Sequence, residues 1–583
     1  MCGITGFYLK NNLGRLPDGW PEKGDSLLKD MLSIVWYRGP DQTGHFTDGV
    51  CGLGMNRLSI INTNTDPIPY FNEDRSLALV FNGEVYNYKD IQSNLRDVHR
   101  LASDSDTEVV LHAFEEKGID CAKDFNGMYA FAVYNSRKKE LTLIRDKVGE
   151  KPLYYYYDGE EFYFASEIKS ILCAVDAELN NDCLSYEVFE VCVDETTLFK
   201  NIFCLLPGQY LKISERGMET GFYWTVEGNI RDIPDDEVWI KRELTDLLVD
   251  AIELRTRNTA HHYACLVSGG VDSAIVAAIS KPEFIYTTTY DQYGDDYSEL
   301  HYAELVAKNI GKPLHIVRPT SEHFERYRSR IAYHLDLPAT WTSFNMFCVL
   351  EELSKGSKVF LTGEGIDEIF GGYHRYHLLN HDQQIYKLDA MSQYSYLIEK
   401  YYGSPVDRYV RLINRSTDIY NERNNLYLRD KVASYFSRTE SIVHGMGLTD
   451  FYTTLQIILH MSDRMSMAYS IENRAPFVDH RLLEFGFGLP DKYKIHDGIT
   501  KYIIKEIARK FIPVEIAERK DKKGFMAPVN VWFGWGQSGK YDRSGYKNAV
   551  YSDWYDVFIA RKYGWVPRGL AVDPHTREPS ALQ

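Results

Sequence analysis

The stretch YACLVSGGVDSAIVAAI at residues 263–279 constrains the fold more than any other part of the chain. Its first five residues form an apolar run typical of a buried strand. In its last nine residues the apolar side chains follow the spacing of a helix. A strand, a Gly-Gly turn and a helix make up the repeating unit of parallel α/β sheets. KVFLTGEGIDEIFGGY at 358–373 is a second such unit. The sequence therefore predicts an α/β domain with a parallel sheet.

The first 207 residues follow a different pattern. Alternating apolar and polar residues predict strands and hairpins at 77–88, 128–146 and 154–166, and a helical pattern at 105–118 interrupts them. We therefore predict an α+β domain of sheets covered by helices over residues 1–207. Since 583 residues exceed what one hydrophobic core usually supports, at least two domains are expected.

The boundary between the two domains is predicted from a polar stretch. Residues 213–236 are polar, which favours a connector at 208–236, and a helical pattern begins at 238. The second domain is predicted at 237–535 and becomes largely helical beyond about residue 380. Residues 536–583 are polar and rich in glycine, and this extension has no predicted role.

Composition excludes several classes of protein. A net charge of −17 argues against a nucleic-acid or anionic-membrane partner. The nine cysteines contain no CxxC pair, so their pattern resembles neither a disulfide framework nor a zinc site. The N-terminus lacks the pattern of a signal peptide, and no run of 18 apolar residues occurs. These features predict a cytoplasmic protein.

The loop SGGVDS at 268–273 has the properties of a phosphate-binding turn. Glycines allow backbone N–H groups to approach a phosphate, and the helix N-terminus favours negative charge. Ser268 and Ser273 add hydroxyl groups, and Asp272 is suited to hold Mg²⁺ beside a pyrophosphate. The alternative is a tight strand–helix turn without a ligand. A second candidate, GWGQSGK at 534–540, is interpreted as a chance match because Tyr541 stands where a P-loop needs Ser or Thr.

The N-terminal sequence MCGITGF places a thiol directly behind the first methionine. If Met1 is removed, Cys2 carries both a thiol and a free α-amine, which can take the thiol proton directly or through a water. The alternative interpretation is that Cys2 is one of nine cysteines, lies at a chain end and has no catalytic role. The sequence thus raises the hypothesis of an N-terminal nucleophile.

Cys2 together with SGGVDS resembles the glutamine-hydrolysing asparagine synthetases, in which a class II glutamine amidotransferase domain is fused to an ATP-pyrophosphatase domain. The resemblance extends from residue 1 to about 533. It rests on these further strings: RGPD (38–41), RLSII (57–61), NGEVYNY (82–88), SDTEVV (105–110), FNGMYAFAVYN (125–135), RDKVGEKPLYYY (145–156), FASEIKSIL (164–172), GEGIDEIFGGY (363–373) and DRMSMAYSIENRAPFVDHRLLEF (463–485). It implies an Ntn-hydrolase-type αββα sandwich, then a parallel-sheet domain of the adenine nucleotide alpha hydrolase type with a helical C-terminal part.

For the first domain the resemblance implies a glutamine site. Cys2 would attack the side-chain amide, and Asn82 and Gly83 would form the oxyanion hole. Arg57 would bind the α-carboxylate of glutamine, and Glu84 and Asp106 its α-ammonium group. RGPD would be the loop that closes over bound glutamine. The stretch 61–79 lacks the family's usual aspartate and Gly-Gln-Gln-Pro run, which bears on glutamine affinity.

For the second domain the resemblance implies an ATP site with magnesium. The implied nucleotide-binding residues are Leu266, Ser268, Gly269, Gly270, Asp272, Ser273, Thr288, Thr362 and Gly363. Asp272 and Asp367 match the Mg²⁺-binding carboxylates. Glu364 matches a base that takes a proton from attacking ammonia, and Lys501 matches a lysine that neutralises the departing pyrophosphate. Taken singly, Glu364 would also fit a carboxylate that the dipole favours at a helix N-terminus. Lys501 would also fit an exposed lysine on a helix.

The implied reaction converts ATP, aspartate and glutamine to asparagine, glutamate, AMP and pyrophosphate. Neutral ammonia would pass between the sites through a tunnel, which we expect to be lined by apolar residues where the domains meet. One alternative is the same mechanism acting on another carboxylate, of a sugar acid, a peptide or a secondary metabolite. A second alternative is a non-catalytic sensor of glutamine or nucleotide. Relatives are often dimers, so a homodimer is a further hypothesis.

Overall fold

In the computed structural model, the chain is described at residues 1–9, 20–61, 67–180, 183, 194–257, 259, 261–338, 340–380, 403–413, 422–519, 527–528, 531–532 and 552–558. The N-terminal domain contains two six-stranded antiparallel sheets, with strand orders β10-β8-β9-β1-β3-β2 and β12-β11-β7-β6-β5-β4. The strands are β1 (Cys2–Leu9), β2 (Gln42–Thr47), β3 (Cys51–Arg57), β4 (Tyr70–Phe71), β5 (Leu77–Val85), β6 (Gly127–Asn135), β7 (Glu140–Arg145), β8 (Tyr154–Tyr157), β9 (Glu161–Ala165), β10 (Ile202–Cys204), β11 (Gln209–Ser214) and β12 (Gly217–Phe222).

The two sheets pack face to face, and helices cover both outer faces. The helices are α1 (Trp20–Ser33), α2 (Tyr88–Leu95), α3 (Asp106–Lys117), α4 (Cys121–Asp124) and α5 (Ile168–Ile171). Helix α1 packs on β1 and β3 of the first sheet, and α3 packs on β5 of the second. Every residue of β1 is buried, because this strand lies between the other sheet and a helix. This four-layer αββα sandwich confirms the predicted fold class.

The predicted connector at 208–236 is shorter in the structure than in the prediction. Its first part forms β11 and β12, the outer hairpin of the second sheet. Gln209, Leu211 and Ile213 of β11 are buried in alternation with partly exposed residues. The alternation in β11 is short and the paired strand β12 is polar. The stretch therefore has the composition of a connector, and its sequence pattern did not predict a hairpin. The N-terminal domain therefore extends to Phe222 and not to residue 207.

The C-terminal domain is built on a five-stranded sheet of order β15-β14-β13-β16-β17, in which all pairs are parallel. Its strands, and those of a small separate hairpin, are β13 (Tyr263–Leu266), β14 (Phe284–Thr288), β15 (Leu314–Val317), β16 (Val359–Leu361), β17 (Glu472–Arg474), β18 (Ile495–His496) and β19 (Ile499–Thr500). The parallel sheet confirms the prediction made from the two strand–loop–helix units.

Helices flank this sheet and form the rest of the domain. They are α6 (Glu237–Arg257), α7 (Val271–Ser280), α8 (Leu300–Ile310), α9 (Ser321–Leu335), α10 (Trp341–Leu353), α11 (Ile366–Phe370), α12 (His374–Asn380), α13 (Pro405–Ile413), α14 (Glu422–Phe436), α15 (Ile442–Tyr452), α16 (Thr454–Met467), α17 (His480–Gly488), α18 (Asp491–Lys494), α19 (Tyr502–Ala508) and α20 (Val514–Ala517). Among the described residues, no helix combines the length and the apolar character needed to cross a lipid bilayer.

The topology of the parallel sheet creates a crevice. From β13, the chain order proceeds outward to β14 and β15 on one side, and β16 lies on the other side. Ligands of such sheets bind where the order reverses, outside the carboxyl ends of the strands. The loops after β13 and β16 meet there: a Cβ added to Gly363 would lie 2.7 Å from the backbone nitrogen of Ser273. Glycine is therefore required at this position.

Part of the predicted polar extension packs into the protein. Residues 552–558 are helical, and Trp554 is fully buried. The Trp554 indole Nε1 donates a hydrogen bond to the Asp336 carbonyl at 3.1 Å, and its ring lies 6.1 Å from that of Phe199. Since Asp336 follows α9 and Phe199 precedes β10, this segment contacts both domains. The GWGQSGK stretch at 534–540 lies outside the described residues.

Two candidate active sites joined by one strand

The first candidate site surrounds Cys2, at the beginning of β1. Cys2 pairs with Arg57 of β3 across the sheet, and its backbone N–H donates to Asn82 Oδ1 at 2.9 Å. The Asn82 Nδ2 group is buried and has no hydrogen-bond partner among the described residues. An unpaired buried donor is costly, so this group favours a ligand oxygen at that point. A buried amide donor on a residue that contacts the Cys2 backbone suits an oxyanion hole.

Gly83 follows Asn82 and has a φ angle of +154°, in a region that favours glycine. A Cβ at this position would lie 2.1 Å from the Met128 carbonyl oxygen of β6. Only glycine therefore lets β5 come this close to β6 beside the thiol.

The cavity at Cys2 has a volume of about 40 Å³ and is lined by Met1. The other predicted residues in its wall are Cys2, Arg57, Gly83, Glu84 and Asp106. Removal of Met1 would enlarge the cavity next to the thiol. It would also turn the Cys2 nitrogen from an amide into an amine.

The predicted glutamine-binding charges lie around this cavity in different environments. Arg57 Nη1 lies 3.4 Å from Gln42 Oε1. Asp106 is the first residue of α3 and accepts a hydrogen bond from the Val85 N–H at 3.1 Å, while burial raises the pKa of its carboxyl to about 6. Glu84 forms an ion pair with Arg474 of β17, in the C-terminal domain. Glu84 therefore contacts the other domain, which the sequence did not indicate.

The second candidate site is a cavity of about 430 Å³ at the carboxyl ends of β13, β14 and β16. The predicted residues that line it are Leu266, Ser268, Asp272, Ser273, Thr288, Thr362, Gly363, Glu364 and Asp367. Gly269 and Gly270 belong to the same loop, where Gly269 has a φ angle of +75°. Thr288 Oγ1 and Asn345 Nδ2 are buried in the wall with no hydrogen-bond partner among the described residues. These unpaired atoms favour a polar ligand in the cavity.

Asp272 and Asp367 converge on one cation, the ammonium group of Lys501. Lys501 Nζ lies 2.7 Å from Asp272 Oδ1 and 2.7 Å from Asp367 Oδ1. The two carboxylates are thus close enough to share a single positive charge. Carboxylate oxygens are the ligands that Mg²⁺ prefers, so these two residues would suit a magnesium ion.

Glu364 is partly buried at the edge of the same cavity and accepts three hydrogen bonds. One comes from the hydroxyl of Ser462 on α16, one from Thr362 Oγ1 at 3.1 Å and one from Asn473 Nδ2 at 3.0 Å. Burial raises the pKa of the Glu364 carboxyl, and the three donors oppose that rise. Sequence reasoning missed Ser462 and Asn473, because their distance from Glu364 along the chain leaves no local signal.

Strand β17 contacts both sites through alternate side chains. Asn473 faces Glu364, whereas Glu472 and Arg474 point to the N-terminal domain, as the alternation of a strand requires. Glu472 Oε2 lies 3.1 Å from the Met1 ammonium group, and Glu472 Oε1 accepts from Arg474 Nε at 2.6 Å. Burial opposes the charge of Glu472, but Arg474 and the Met1 ammonium outweigh it and lower the pKa of this carboxyl to about 2. One strand therefore links the chain terminus to the Glu364 carboxylate.

Arg38 of the RGPD stretch forms a second link between the domains. It is fully buried, and its Nε donates to the Cys2 carbonyl at 3.1 Å. Its Nη1 lies 2.8 Å from Glu167 Oε1 and 2.8 Å from Asp463 Oδ2 of α16. Arg38 thus ties the backbone of Cys2 to the helix that carries Ser462. The arginine of the predicted closing loop is an interdomain contact in this structure.

Comparison with known proteins agrees with this two-site arrangement. A family model described as a glutamine amidotransferase domain matches residues 1–224, and one described as asparagine synthase matches residues 243–550. The asparagine synthetase [glutamine-hydrolyzing] 1 of Bacillus subtilis is 30% identical over 572 residues, which covers 91% of this chain and 88% of that protein. The asparagine synthetase [glutamine-hydrolyzing] 2 of B. subtilis is 31% identical over 557 residues, which covers 88% of this chain and 70% of that protein.

Together these matches define the class of protein, a glutamine amidotransferase joined to a ligase domain. A putative asparagine synthetase [glutamine-hydrolyzing] of Mycobacterium tuberculosis (strain ATCC 25618 / H37Rv) is 29% identical over 593 residues, 91% of this chain and 88% of that protein. The chain belongs to the family of glutamine-hydrolysing asparagine synthetases.

Proposed function

We propose that this protein makes asparagine from aspartate, with ATP as the activating substrate and glutamine as the nitrogen source. The observation that carries the proposal is the direct connection of the two sites through β17, whose side chains reach both Glu84 in the wall of the Cys2 cavity and Glu364. A non-catalytic sensor would have no need of both a nucleophile and a base. The complete set of Cys2, Asn82, Asp272, Glu364 and Asp367 therefore favours an enzyme.

The first half-reaction requires a thiolate and a base. Burial raises the pKa of the Cys2 thiol, so the thiol needs a nearby proton acceptor. Once Met1 is removed, the α-amine of Cys2 supplies it, because this nitrogen belongs to the same residue as the sulfur. The thiolate attacks the glutamine side-chain carbon, the unpaired Asn82 Nδ2 stabilises the oxyanion, and ammonia leaves as the thioester forms. Water then releases glutamate.

The second half-reaction is activation of the aspartate carboxylate by ATP. The carboxylate attacks the α-phosphorus, which gives an acyl-adenylate and expels pyrophosphate. A Mg²⁺ ion held by Asp272 and Asp367 would neutralise the pyrophosphate charge. Lys501 would add a second positive charge, since its ammonium group lies within 3 Å of both carboxylates. Glu364 would then take a proton from ammonia as its nitrogen attacks the activated carbonyl.

Ammonia must cross from one site to the other without gaining a proton from water. An apolar cluster, which we call the interdomain cluster, lies where the domains meet and contains Met1, Leu58, Ile60, Tyr86, Met128, Val359 and Met467, of which Met1 is lost when the terminus is processed. Its first five members belong to the N-terminal domain, and Val359 begins the strand that leads to Glu364. An apolar lining excludes water and leaves neutral ammonia as the favoured species. We propose this cluster as the wall of the ammonia route.

The acceptor is identified by a carboxylate screen. Full-length protein with Met1 removed is incubated with ATP, Mg²⁺ and glutamine, together with aspartate, glutamate, succinate or no acid, and AMP and pyrophosphate are measured. We expect release only with aspartate, because glutamate is one methylene longer and succinate lacks the ammonium group. Equal release without aspartate, or greater release with another acid, would reject asparagine as the product.

The environment of Glu364 predicts a shift in the pH profile. Donors to a carboxylate favour its charged form and so lower its pKa; loss of the Asn473 amide should therefore raise the pKa of Glu364 further. In Asn473→Ala we expect the acidic limb of glutamine-dependent product formation to move up by about one pH unit. Glutamate release, measured in the same samples, separates this effect from the Cys2 site.

The matched control for that experiment is Asn309→Ala. Asn309 lies in the same domain on α8 and donates its side-chain amide to the Phe511 carbonyl at 3.2 Å, away from the cavity. The pH profile of product formation by Asn309→Ala should match that of the unchanged protein. An acidic limb that stays in place in Asn473→Ala, or moves to lower pH, would show that Asn473 does not stabilise the Glu364 carboxylate.

A further inference from the structure

Two histidines and two glutamates converge on the outer face of the N-terminal domain, away from both candidate sites. They come from three separate segments: Glu73 from the turn between β4 and β5, His99 from the loop after α2, and His112 and Glu115 from α3. One ligand atom from each of the four lies within 4.8 Å of the other three. We propose that this group, the His₂Glu₂ cluster, binds a Zn²⁺ ion.

Several of the ligand-atom distances are near those of a tetrahedral site, with different Glu73 oxygens facing the two histidines. His112 Nδ1 lies 3.2 Å from Glu115 Oε2 and 3.9 Å from Glu73 Oε2. His99 Nδ1 lies 3.6 Å from Glu73 Oε1 and 3.9 Å from Glu115 Oε2. Zinc bonds of about 2.0–2.1 Å in a tetrahedron set neighbouring ligand atoms about 3.3 Å apart. The separations, which reach up to 4.8 Å, would close around one ion by movement of these side chains.

Surrounding groups already orient these ligands. Asn72 Nδ2 donates to Glu115 Oε1 at 2.8 Å, which leaves Oε2 directed to His112. The opposite nitrogen of His99, Nε2, lies 3.0 Å from Glu116 Oε1. Imidazoles that bind metals commonly donate their second N–H to a carboxylate in this way. That of His112 lies 4.0 Å from Glu108 Oε1, which is beyond hydrogen-bond distance.

The two imidazole rings favour a bound metal over simple ion pairs. Their centroids are 4.4 Å apart with an interplanar angle of 33°, and the His112 side chain is only 3% exposed. Two rings at this distance can bind one metal ion through one nitrogen each. Two nitrogen and two carboxylate ligands suit Zn²⁺, while Mg²⁺ and Ca²⁺ require more oxygen atoms.

A zinc ion here would have four protein ligands, as structural zinc sites do. It would join α3 to the β4–β5 turn and to the loop before α3, and Asp106 is the first residue of that helix. Binding to the folded state alone stabilises that state in proportion to occupancy. We therefore assign the cluster a stabilising role, which is independent of the proposed reaction.

The test is a zinc titration of chelator-treated full-length protein against a chromogenic chelator, with thermal unfolding followed in the same samples. We expect one Zn²⁺ per chain that competes with the chelator and raises the Tm. Co²⁺ should replace it and show the visible absorption of a four-coordinate ion, and Mg²⁺ should not compete. Glu115→Gln keeps the side-chain shape and should weaken zinc binding at least about tenfold. The double substitution His99→Gln and His112→Gln should abolish it.

The matched control is His45→Gln. His45 also faces a carboxylate in this domain, with Nε2 2.7 Å from Asp25 Oδ1, but it is not part of the cluster. It should keep both the stoichiometry and the zinc-dependent rise in Tm. The proposal is overturned if the unchanged protein does not compete with the chelator, or if both cluster variants bind zinc as it does. Glutamine hydrolysis and pyrophosphate release do not enter this result.

Discussion

Replacement of Cys2 by alanine is expected to abolish glutamine-dependent product formation, by about 10³-fold or more, while synthesis from added ammonia continues. The reason is chemical: the sulfur forms the bond that releases ammonia, and Cys2 is the one thiol among the described residues that line this cavity. Cys2 is buried in β1, where the smaller alanine side chain fits without a clash. Glutamate release and product formation are measured with glutamine and with ammonium as alternative nitrogen sources.

Cys51→Ala is the matched control for this experiment. Cys51 is a buried thiol in the same sheet, at the far end of β3 opposite Tyr8. This variant should retain glutamine hydrolysis. Mass spectrometry of the unchanged protein establishes beforehand that Met1 has been removed, which the role of the Cys2 α-amine as a base requires. Undiminished glutamate release from Cys2→Ala would refute the assignment of the nucleophile.

Asp272→Asn is expected to reduce pyrophosphate release with either nitrogen source. The asparagine keeps the size of the side chain but removes one of the two charges that face Lys501 and the proposed Mg²⁺. Loss of about 3 kcal/mol of charge stabilisation corresponds to roughly a 10²-fold decrease in rate. Pyrophosphate release is measured at saturating ATP and aspartate.

Two controls separate this effect from general damage. Asp291→Asn removes a carboxylate of the same domain that pairs with Arg318 at 2.8 Å on the surface, and it should leave the rate unchanged. Glutamate release by Asp272→Asn should continue, since Cys2 lies in the other domain. If Asp272→Asn releases pyrophosphate at the unchanged rate, Asp272 does not act on the nucleotide.

Local patterns in the sequence predicted the parts of the structure that depend on neighbouring residues. The apolar run before SGGVDS became β13, and the residues after it became α7 with its N-terminus at the cavity. The alternation at 77–88 and the helical pattern at 105–118 correspond to β5 and α3. In each case the period of apolar residues is set by the geometry of the element itself. Interactions between neighbouring residues were therefore sufficient to predict these strands and helices.

Contacts between distant segments could not be predicted in this way. The role of β17 depends on Glu472 meeting the Met1 ammonium group and on Arg474 meeting Glu84, two contacts across the domain boundary. A string such as IENRA contains no sign of which face will meet the N-terminal domain. The His₂Glu₂ cluster was missed for the same reason, since Glu73, His99 and His112 lie on three separate segments. Only the fold brings these residues together.

The central claim is that nitrogen released at Cys2 reaches Glu364 through the protein, and isotope transfer tests it most directly. Full-length protein is supplied with glutamine labelled with ¹⁵N in its side-chain amide, aspartate, ATP and Mg²⁺, in a large excess of unlabelled ammonium at pH 7. We predict that most of the amide formed carries ¹⁵N, because enclosed ammonia does not mix with the solution. If the ¹⁵N content of the amide is diluted in proportion to the unlabelled ammonium, the nitrogen has passed through the solution. That result would contradict an internal route between the two sites.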